Sequence, residues 1–173
     1  MSEAAILNMK ENNFTRMMKL VDEVFATRND PDQLQVDQEV LNKLEYIHPA
    51  TLSEYNEGNG PGVWLLVVPT TTSLMNEFVS GKISEQELFD RTQPGMEYEA
   101  LYLCSATALP EYRGKGIAKE LCLDSIKRIR ATHLIKALFV WPFTEQGDRL
   151  AEQVSKETKL PLFKRQPKNR FSS

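Results

Sequence analysis

The stretch Pro110–Ala118, PEYRGKGIA, joins an apolar segment to a helical one and decides how the rest of the chain is interpreted. The segment before it, Tyr98–Leu109, is predicted to form a strand, and Ile117–Arg130 after it is predicted to form an amphipathic helix. Glycine lets a backbone approach a ligand closely, and the first turn of a helix has N–H groups without partners and a partial positive charge. We therefore predict that this turn binds an anion such as a phosphate group.

Three nucleotide-binding motifs place a glycine turn before a helix, and the residues of this chain separate them. The dinucleotide motif G-x-G-x-x-G requires a glycine where this chain has Lys119, and the P-loop motif G-x-x-x-x-G-K-[ST] does not occur in the sequence. The third motif, R/Q-x-x-G-x-G/A, is matched by Arg113, Gly116 and Ala118. Together with its neighbours in TALPEYRGKGIAKEL, this motif resembles the signature of the GNAT superfamily of acyl-CoA-dependent N-acetyltransferases.

The resemblance is firm over residues 98–141 and implies a fold for the whole chain. It implies an α/β fold of the GNAT type, with a central, mostly antiparallel mixed sheet that is splayed at the cofactor site and flanked by helices. We expect a single domain over residues 1–173. Residues 70–94 read as two short helices in place of the hairpin partner usual in the family, and this insertion is a lid, an oligomer contact or a plain surface excursion.

The resemblance also implies acetyl-CoA as the acyl donor. In the family the backbone amides of the turn hold the pyrophosphate of coenzyme A, which here assigns that role to Arg113, Gly114, Lys115, Gly116, Ile117 and Ala118. The pantetheine arm would pair with the end of the preceding strand, at Thr107, Ala108 and Leu109. The acyl group would enter between that strand and the next, near Val140 and Trp141, while Lys115 and Lys119 either meet the adenosine phosphates or face solvent.

Acyl transfer to an amine requires a base, because a lysine-type amine has a pKa of about 10.4. Glu97 and Glu99 at the start of the strand are candidate bases, although strand-end carboxylates are commonly only solvated. Tyr102 is a further candidate catalytic residue, and Ser105 on the same strand also has access to the cleft if it lies on the correct face.

Two positions depart from the family pattern on the helix that follows the next strand. Relatives commonly carry an asparagine and then a tyrosine that acts as general acid, and counting from Val140 these places hold Thr144 and Ala151. The usual acid is therefore replaced from elsewhere or absent. A non-catalytic acyl-CoA-binding or regulatory module with the same fold is the alternative that this absence favours.

The acceptor is expected to be a primary amine on a small molecule or a peptide. Glu54 and Glu57 lie where relatives bind the acceptor and would attract a cationic amine. His48 and His133 are expected to be loop or surface residues, and no metal site is predicted because these two histidines and two cysteines have no metal-ligand spacing. Tyr112 is expected to pack rather than to catalyse, and the basic C-terminal tail is expected to be solvated.

Composition limits the class of protein further. An ordinary globular composition argues against disorder, and a net charge of -3 with a pI near 5.5 argues against a nucleic-acid partner. The longest apolar run, Val63–Val68, is too short to cross a bilayer, and no signal peptide is visible. We expect a cytoplasmic protein, monomeric or homodimeric, with no membrane partner and with Cys104 and Cys122 as reduced core residues.

The remaining elements are predicted from hydrophobic periodicity and capping residues. A helical stripe begins at Phe14, and Asp30, Pro31 and Gln33 predict the start of a second helix. A loop is predicted from His48 to Gly62, and Val63–Val68 is predicted to be a buried strand that stops at Pro69. The other predictions are a helix capped by Thr72 and ended by Gly81, a capping box of Ser84 and Glu87, a strand at Leu134–Trp141, a helix over residues 144–159 and a final strand in LPLFKR.

Overall fold

The computed structural model describes residues 11–28 (25–28 by backbone alone), 34 and 37–166. In this part of the chain six α-helices and five strands form a mixed α/β structure. In chain order they are α1 (Asn13–Arg28), α2 (Gln38–Ile47), β1 (Leu52–Asn56), β2 (Pro61–Thr70), α3 (Thr72–Val79), α4 (Glu85–Arg91), β3 (Ala100–Ala108), α5 (Ile117–Arg130), β4 (Ala137–Val140), α6 (Glu145–Thr158) and β5 (Leu162–Lys164). A single 3₁₀ turn, Pro110–Tyr112, lies between β3 and α5.

The five strands form one mixed sheet in sequence order, β1-β2-β3-β4-β5. The pairs β1·β2 and β2·β3 are antiparallel, whereas β3·β4 and β4·β5 are parallel. Parallel neighbours need a crossover connection, and α5 and α6 supply the two crossovers. The mixed sheet is confirmed, but it is divided evenly between the two kinds of pairing rather than being mostly antiparallel.

A β-bulge interrupts β3 at the position where its pairing with β4 ends. Leu66 pairs with Ser105 and Val67 with Leu103, so Cys104 is an extra residue on β3. The β3·β4 ladder runs only as far as the pair Leu103 and Val140. A bulge bends its strand and increases the local twist, so the second half of β3 diverges from β4. Among the described residues it has a paired strand, β2, on one side only.

Helices cover both faces of the sheet, and side chains of β3 alternate between them. On one face Tyr102 and Cys104 pack among α2, α3 and α4, which we call the insertion face. On the other face Leu101 and Leu103 pack against α5 and α6. Helix α1 covers the end of the sheet that leads into the glycine turn, where Met17 is buried. The two short helices predicted within residues 70–94 are confirmed as α3 and α4, and they form part of the core.

Most local signals in the sequence are confirmed. Helix α5 has the predicted bounds, and Ser84 and Glu87 form a complete capping box at α4. The helix α3 begins one residue earlier than predicted, because Thr71 rather than Thr72 is its N-cap. The predicted cap at Asp30, Pro31 and Gln33 lies outside the described residues, and α2 begins instead after its N-cap Asp37.

Two predictions about strands are wrong. The predicted loop His48–Gly62 contains β1, an edge strand whose residues are only exposed or half-buried. The predicted stop at Pro69 fails because β2 continues to Thr70. The amide of Val67 donates to Thr51, so position 69 faces the same side, where β1 has not yet begun. A proline is tolerated there because no neighbouring strand needs its missing N–H.

No helix in the described residues is long and apolar enough to cross a membrane.

Candidate functional site

The glycine turn leaves the start of α5 open to a ligand. Gly114 and Gly116 have φ values of +72° and +74°, a left-handed conformation that glycine adopts without strain. Gly116 is the N-cap of α5 and supplies no side-chain acceptor for the first N–H groups of the helix. A Cβ added at either glycine would meet no described atom within 4 Å apart from the chain neighbours, so the space on the Cβ side of both glycines is open. Such a helix start attracts anions.

The turn is held in place by the core beneath it. The ring of Tyr112 is buried against Gly62, where an added Cβ would come within 2.6 Å of the ring. The amide of Leu109 donates to the Gly62 carbonyl over 2.9 Å. Arg16 of α1 binds both carboxylate oxygens of Glu111, with Nη2 2.8 Å from Oε2. Tyr112 therefore packs as predicted, and the turn is held in place by contacts with β2 and α1.

The second half of β3 presents a free backbone edge toward β4. The hydrogen bond from Leu109 to Gly62 identifies these two as a hydrogen-bonded pair of the antiparallel ladder, so Thr107 also points its amide and carbonyl toward β2. By alternation, Ala106 and Ala108 point theirs the opposite way, toward the opening beyond Val140. The Nε of Arg113 donates to the Ala108 carbonyl over 2.9 Å, which agrees with this orientation.

This geometry refines the predicted pantetheine contacts. Of Thr107, Ala108 and Leu109, only Ala108 directs its backbone polar groups to the open edge. Ala106, which was not predicted, does so as well. Thr107 and Leu109 have backbones that face β2, so their contribution to this edge is limited to side-chain contact.

Three cations surround the turn. Arg113 and Lys115 are exposed, and Lys119 in the first turn of α5 lies 3.1 Å from Glu157 of α6. The Lys119 ammonium is therefore engaged in an ion pair between two helices, whereas Arg113 and Lys115 extend from the turn itself.

The predicted bases lie at the other end of β3 from the turn. Glu97 is exposed, and Glu99 is half-buried with its carboxylate 3.5 Å from Lys136. Glu99 precedes Ala106 by seven residues, or about 23 Å along an extended strand. The structure thus separates both glutamates from the open edge, while Tyr102 lies closer, two residues before the bulge.

Tyr102 is almost completely buried on the insertion face, and a buried carboxylate binds its hydroxyl. The Tyr102 hydroxyl donates to Oε2 of Glu85 over 2.5 Å, and the Leu34 amide donates to Oε1 over 2.6 Å. The Cys104 thiol lies 4.0 Å from the same Oε2. Glu85 is only 2% exposed, and with Tyr102, Cys104 and neighbouring apolar side chains it lines a cavity of about 10 Å³.

Sequence reasoning missed Glu85. An acidic residue in the first turn of a helix is commonly explained by the helix dipole, and the capping box at Ser84 strengthens that explanation. The available signal was periodicity, because Glu85 shares the inward face of α4 with Leu88 and Phe89.

The two departures from the family pattern have structural roles. Thr144 is the N-cap of α6 and accepts from the Gly147 amide over 3.0 Å. Ala151 is 1% exposed and packs with Val154 in the core between α5, α6 and the sheet. A methyl group in that position cannot donate a proton.

Packing or hydrogen bonds explain the positions of the other titratable residues considered in the sequence. Burial raises the pKa of Cys122 to about 12, so its thiol stays protonated in the core. The rings of His48 and His133 lie 6.0 Å apart, and His48 Nδ1 accepts from the Ala50 amide over 2.9 Å. Glu57 accepts hydrogen bonds from Tyr55 and Tyr112, with Tyr55 at 2.8 Å, which ties it to the β1–β2 turn. Its neighbour Glu54 is exposed and accepts from Asn56.

One basic residue in the described part of the C-terminal tail is buried, contrary to the prediction that this tail is solvated. Arg165 is 3% exposed, and its guanidinium lies 4.6 Å from the Phe78 ring centre and 4.5 Å from that of Trp141. Its Nη1 donates to the carbonyl of Ile83 over 2.5 Å. Arg165 therefore links the residue directly after β5 to the connection between α3 and α4.

Within the described residues, no group of three or more histidine, cysteine or acidic side chains is arranged to hold a metal ion. Comparison with models of known protein families finds no match for the chain. Comparison with curated proteins likewise finds no significant match.

Proposed function

We propose that this chain is an acyl-CoA-dependent N-acyltransferase of the GNAT type, which transfers an acetyl group from acetyl-CoA to a primary amine. The donor is bound by the amides from Arg113 to Ala118 at the start of α5, and its extended arm pairs with the open edge of β3. The reaction takes place near Cys104 and Val140, where the two strands diverge.

One observation carries the proposal: the open strand edge at Ala106 and Ala108 leads directly into an uncapped helix start preceded by two left-handed glycines. A strand edge binds amide groups of an extended ligand, and a helix start binds an anion. Coenzyme A has both parts in this order, since its pantetheine arm carries two amides and is joined to a pyrophosphate. The bulge at Cys104 supports the same function because it creates the opening.

A specific observation also favours the alternative, a non-catalytic acyl-CoA-binding module. The usual acid is replaced by buried Ala151, and the insertion helices leave a cavity of only about 10 Å³ beside Tyr102. This volume holds about one water molecule. An acceptor amine therefore reaches the opening only from its exposed side or after movement of the insertion face.

Donor binding and turnover distinguish these two functions. We would measure the CoA-dependent shift in melting temperature, and then follow free thiol release from acetyl-CoA with spermidine, kanamycin, a peptide with a free N-terminus and a lysine-containing peptide. Saturable thiol release that depends on the amine supports the acyltransferase. A thermal shift without release on any amine supports the binding module, and absence of both contradicts the proposed function.

A further inference from the structure

We propose that Glu85 and Tyr102 form the proton relay of the reaction, with Tyr102 at the reacting atoms and Glu85 as the proton acceptor behind it. This inference rests on the proposed function and assigns the acid and base that the family's usual positions do not supply. Both residues lie on the insertion face, opposite α5 and α6.

The position of the pair relative to the opening is the first argument. A ligand that is anchored at the glycine turn and paired with Ala108 and then Ala106 runs back along β3 toward Cys104. The ladder with β4 begins at Leu103, directly before Cys104, so the far end of the ligand stops at the bulge. Oε2 of Glu85 lies 4.0 Å from the Cys104 sulphur and 2.5 Å from the Tyr102 hydroxyl. The carboxylate and the hydroxyl therefore lie beside the point where the ligand ends.

The burial of the pair is the second argument. Glu85 is 2% exposed, and a buried carboxylate is tolerated only where hydrogen bonds replace its contacts with water; Tyr102 and Leu34 supply two of these bonds. The adjoining cavity has a volume of only about 10 Å³, and the surface exposed to it is apolar. A hydroxyl that donates to a buried carboxylate can pass a proton to it and receive one back, which is the arrangement that general acid–base catalysis needs.

An indole N–H on the same face is the third argument. Trp141 follows the last paired residue of β4 and is 3% exposed. Within the described part of the chain its Nε1 is buried and has no hydrogen-bond partner. A buried donor without a partner is unfavourable in a native protein, so this group is available to an oxygen atom of a bound ligand. The insertion face thus has a proton acceptor on α4, a hydroxyl group on β3 and, directly after β4, an N–H donor with no partner among the described residues.

The proposed step is balanced. The neutral amine nitrogen attacks the thioester carbonyl, and a C–N bond forms as the C–S bond breaks. The Tyr102 oxygen takes the proton lost by the nitrogen while its own proton passes to Glu85. The leaving thiolate then takes a proton from Tyr102, which recovers one from Glu85. The products are the amide and the free thiol, and both side chains return to their starting protonation states.

Carboxylate-to-amide and tyrosine-to-phenylalanine variants test the relay. Glu85→Gln and Tyr102→Phe keep the size of each side chain, so the fold is checked by melting temperature and donor binding by the CoA-dependent thermal shift. Asp90→Asn, exposed on the same helix, and Tyr98→Phe, buried on the opposite face, are the matched controls. Initial rates of thiol release are measured against pH with whichever of the four amines turns over fastest.

We expect Glu85→Gln to lower kcat by about 10²–10⁴-fold, to remove the acidic limb of the pH profile, and to leave the CoA-dependent thermal shift unchanged. Tyr102→Phe is also expected to lower kcat. Because it removes only one oxygen atom, it still tests the relay if Glu85→Gln fails to fold. Both controls are expected to retain wild-type rates.

Retention of wild-type rates in Tyr102→Phe and Glu85→Gln overturns the relay while leaving the acyltransferase intact. So does a lower rate with an unchanged pH profile, which would show a structural role only. If Glu97→Gln or Glu99→Gln removes the acidic limb instead, the base is at the other end of β3 and the relay is wrong. Absence of both CoA binding and turnover in the wild type overturns the proposed function and the relay with it.

Discussion

Replacement of Gly116 by valine tests the anion site most directly. Gly116 has a φ of +74°, and a β-branched residue is strained in that conformation by about 1–2 kcal/mol. Apart from its chain neighbours, no described atom lies within 4 Å of the added Cβ, so the valine side chain projects into open space at the N-cap of α5. We expect the side chain to occupy the volume that a phosphate group would need.

Gly81 provides a matched control for the backbone strain. It has a φ of +83° and, like Gly116, has no atom within 4 Å of an added Cβ, but it follows α3 on the insertion face. Both valine variants should lose similar stability, about 1–2 kcal/mol, or about 2–8 °C in melting temperature for a chain of this size. Only Gly116→Val should also lose the ligand effect.

The ligand effect is large enough to measure. CoA at a hundred times its Kd stabilises the folded state by about 2.7 kcal/mol, which corresponds to about 5–11 °C. We expect this shift in the wild type and in Gly81→Val, measured by differential scanning fluorimetry, and its loss in Gly116→Val. A full CoA-dependent shift in Gly116→Val would refute the assignment of the pyrophosphate to this turn.

Three further variants test the packing around the site. Gly62→Ala should lower the free energy of unfolding, measured in urea, by about 1–3 kcal/mol, because the added Cβ would lie 2.6 Å from the Tyr112 ring. An equal loss in a Tyr112→Leu background would show that the clash with this ring is not the cause. Arg165→Met should lower the free energy of unfolding by about 1–3 kcal/mol because the buried Ile83 carbonyl loses a donor. The control Arg149→Met, at an exposed position, should change it by less than about 0.5 kcal/mol. Equal effects of the two variants would argue against a stabilising role of buried Arg165. Burial, and to a lesser degree repulsion from His133 and Arg128, lowers the pKa of His48 below 6.5 in the folded protein. As the pH falls, the unfolded chain therefore takes up this proton first. The contribution of neutral His48 to the free energy of unfolding is complete above about pH 6.5 and declines below it. His48→Asn keeps an acceptor for the Ala50 amide but does not titrate. Between about pH 7.5 and 5 its free energy of unfolding, measured in urea, should therefore fall less steeply than that of the wild type. Equal slopes would show that His48 does not contribute to the pH dependence of stability.

The elements that could be predicted from sequence are those whose signals are local. Helix α5 and the capping box of α4 depend on neighbouring residues, and both were predicted. Strand β1 could not be predicted, because its edge position leaves every residue exposed or half-buried and removes the apolar alternation that identifies a strand. The continuation of β2 past Pro69 depends on where β1 begins, which is a tertiary fact.

The same division applies to the candidate site. The glycine turn is contiguous, so its spacing alone singled it out. The carboxylate beside Tyr102 comes from a residue seventeen positions earlier, and the amide on its other oxygen belongs to Leu34, fifty-one positions from Glu85. A charged residue is expected at the surface in the absence of such contacts, and for this reason both Glu85 and Arg165 were assigned to solvent-facing roles or overlooked.

The hydrogen bond from Arg113 to Ala108 has a consequence for the protein without its ligand. An unpaired strand edge is a template for another chain, and proteins commonly protect such edges with charged side chains to avoid aggregation. Arg113 both occupies one carbonyl of the open β3 edge and places a charge beside it. Under the proposed function, a donor that pairs with Ala108 would exchange one hydrogen bond for another and release the Arg113 guanidinium toward its anionic group, and until then the charge beside the edge disfavours pairing with another chain.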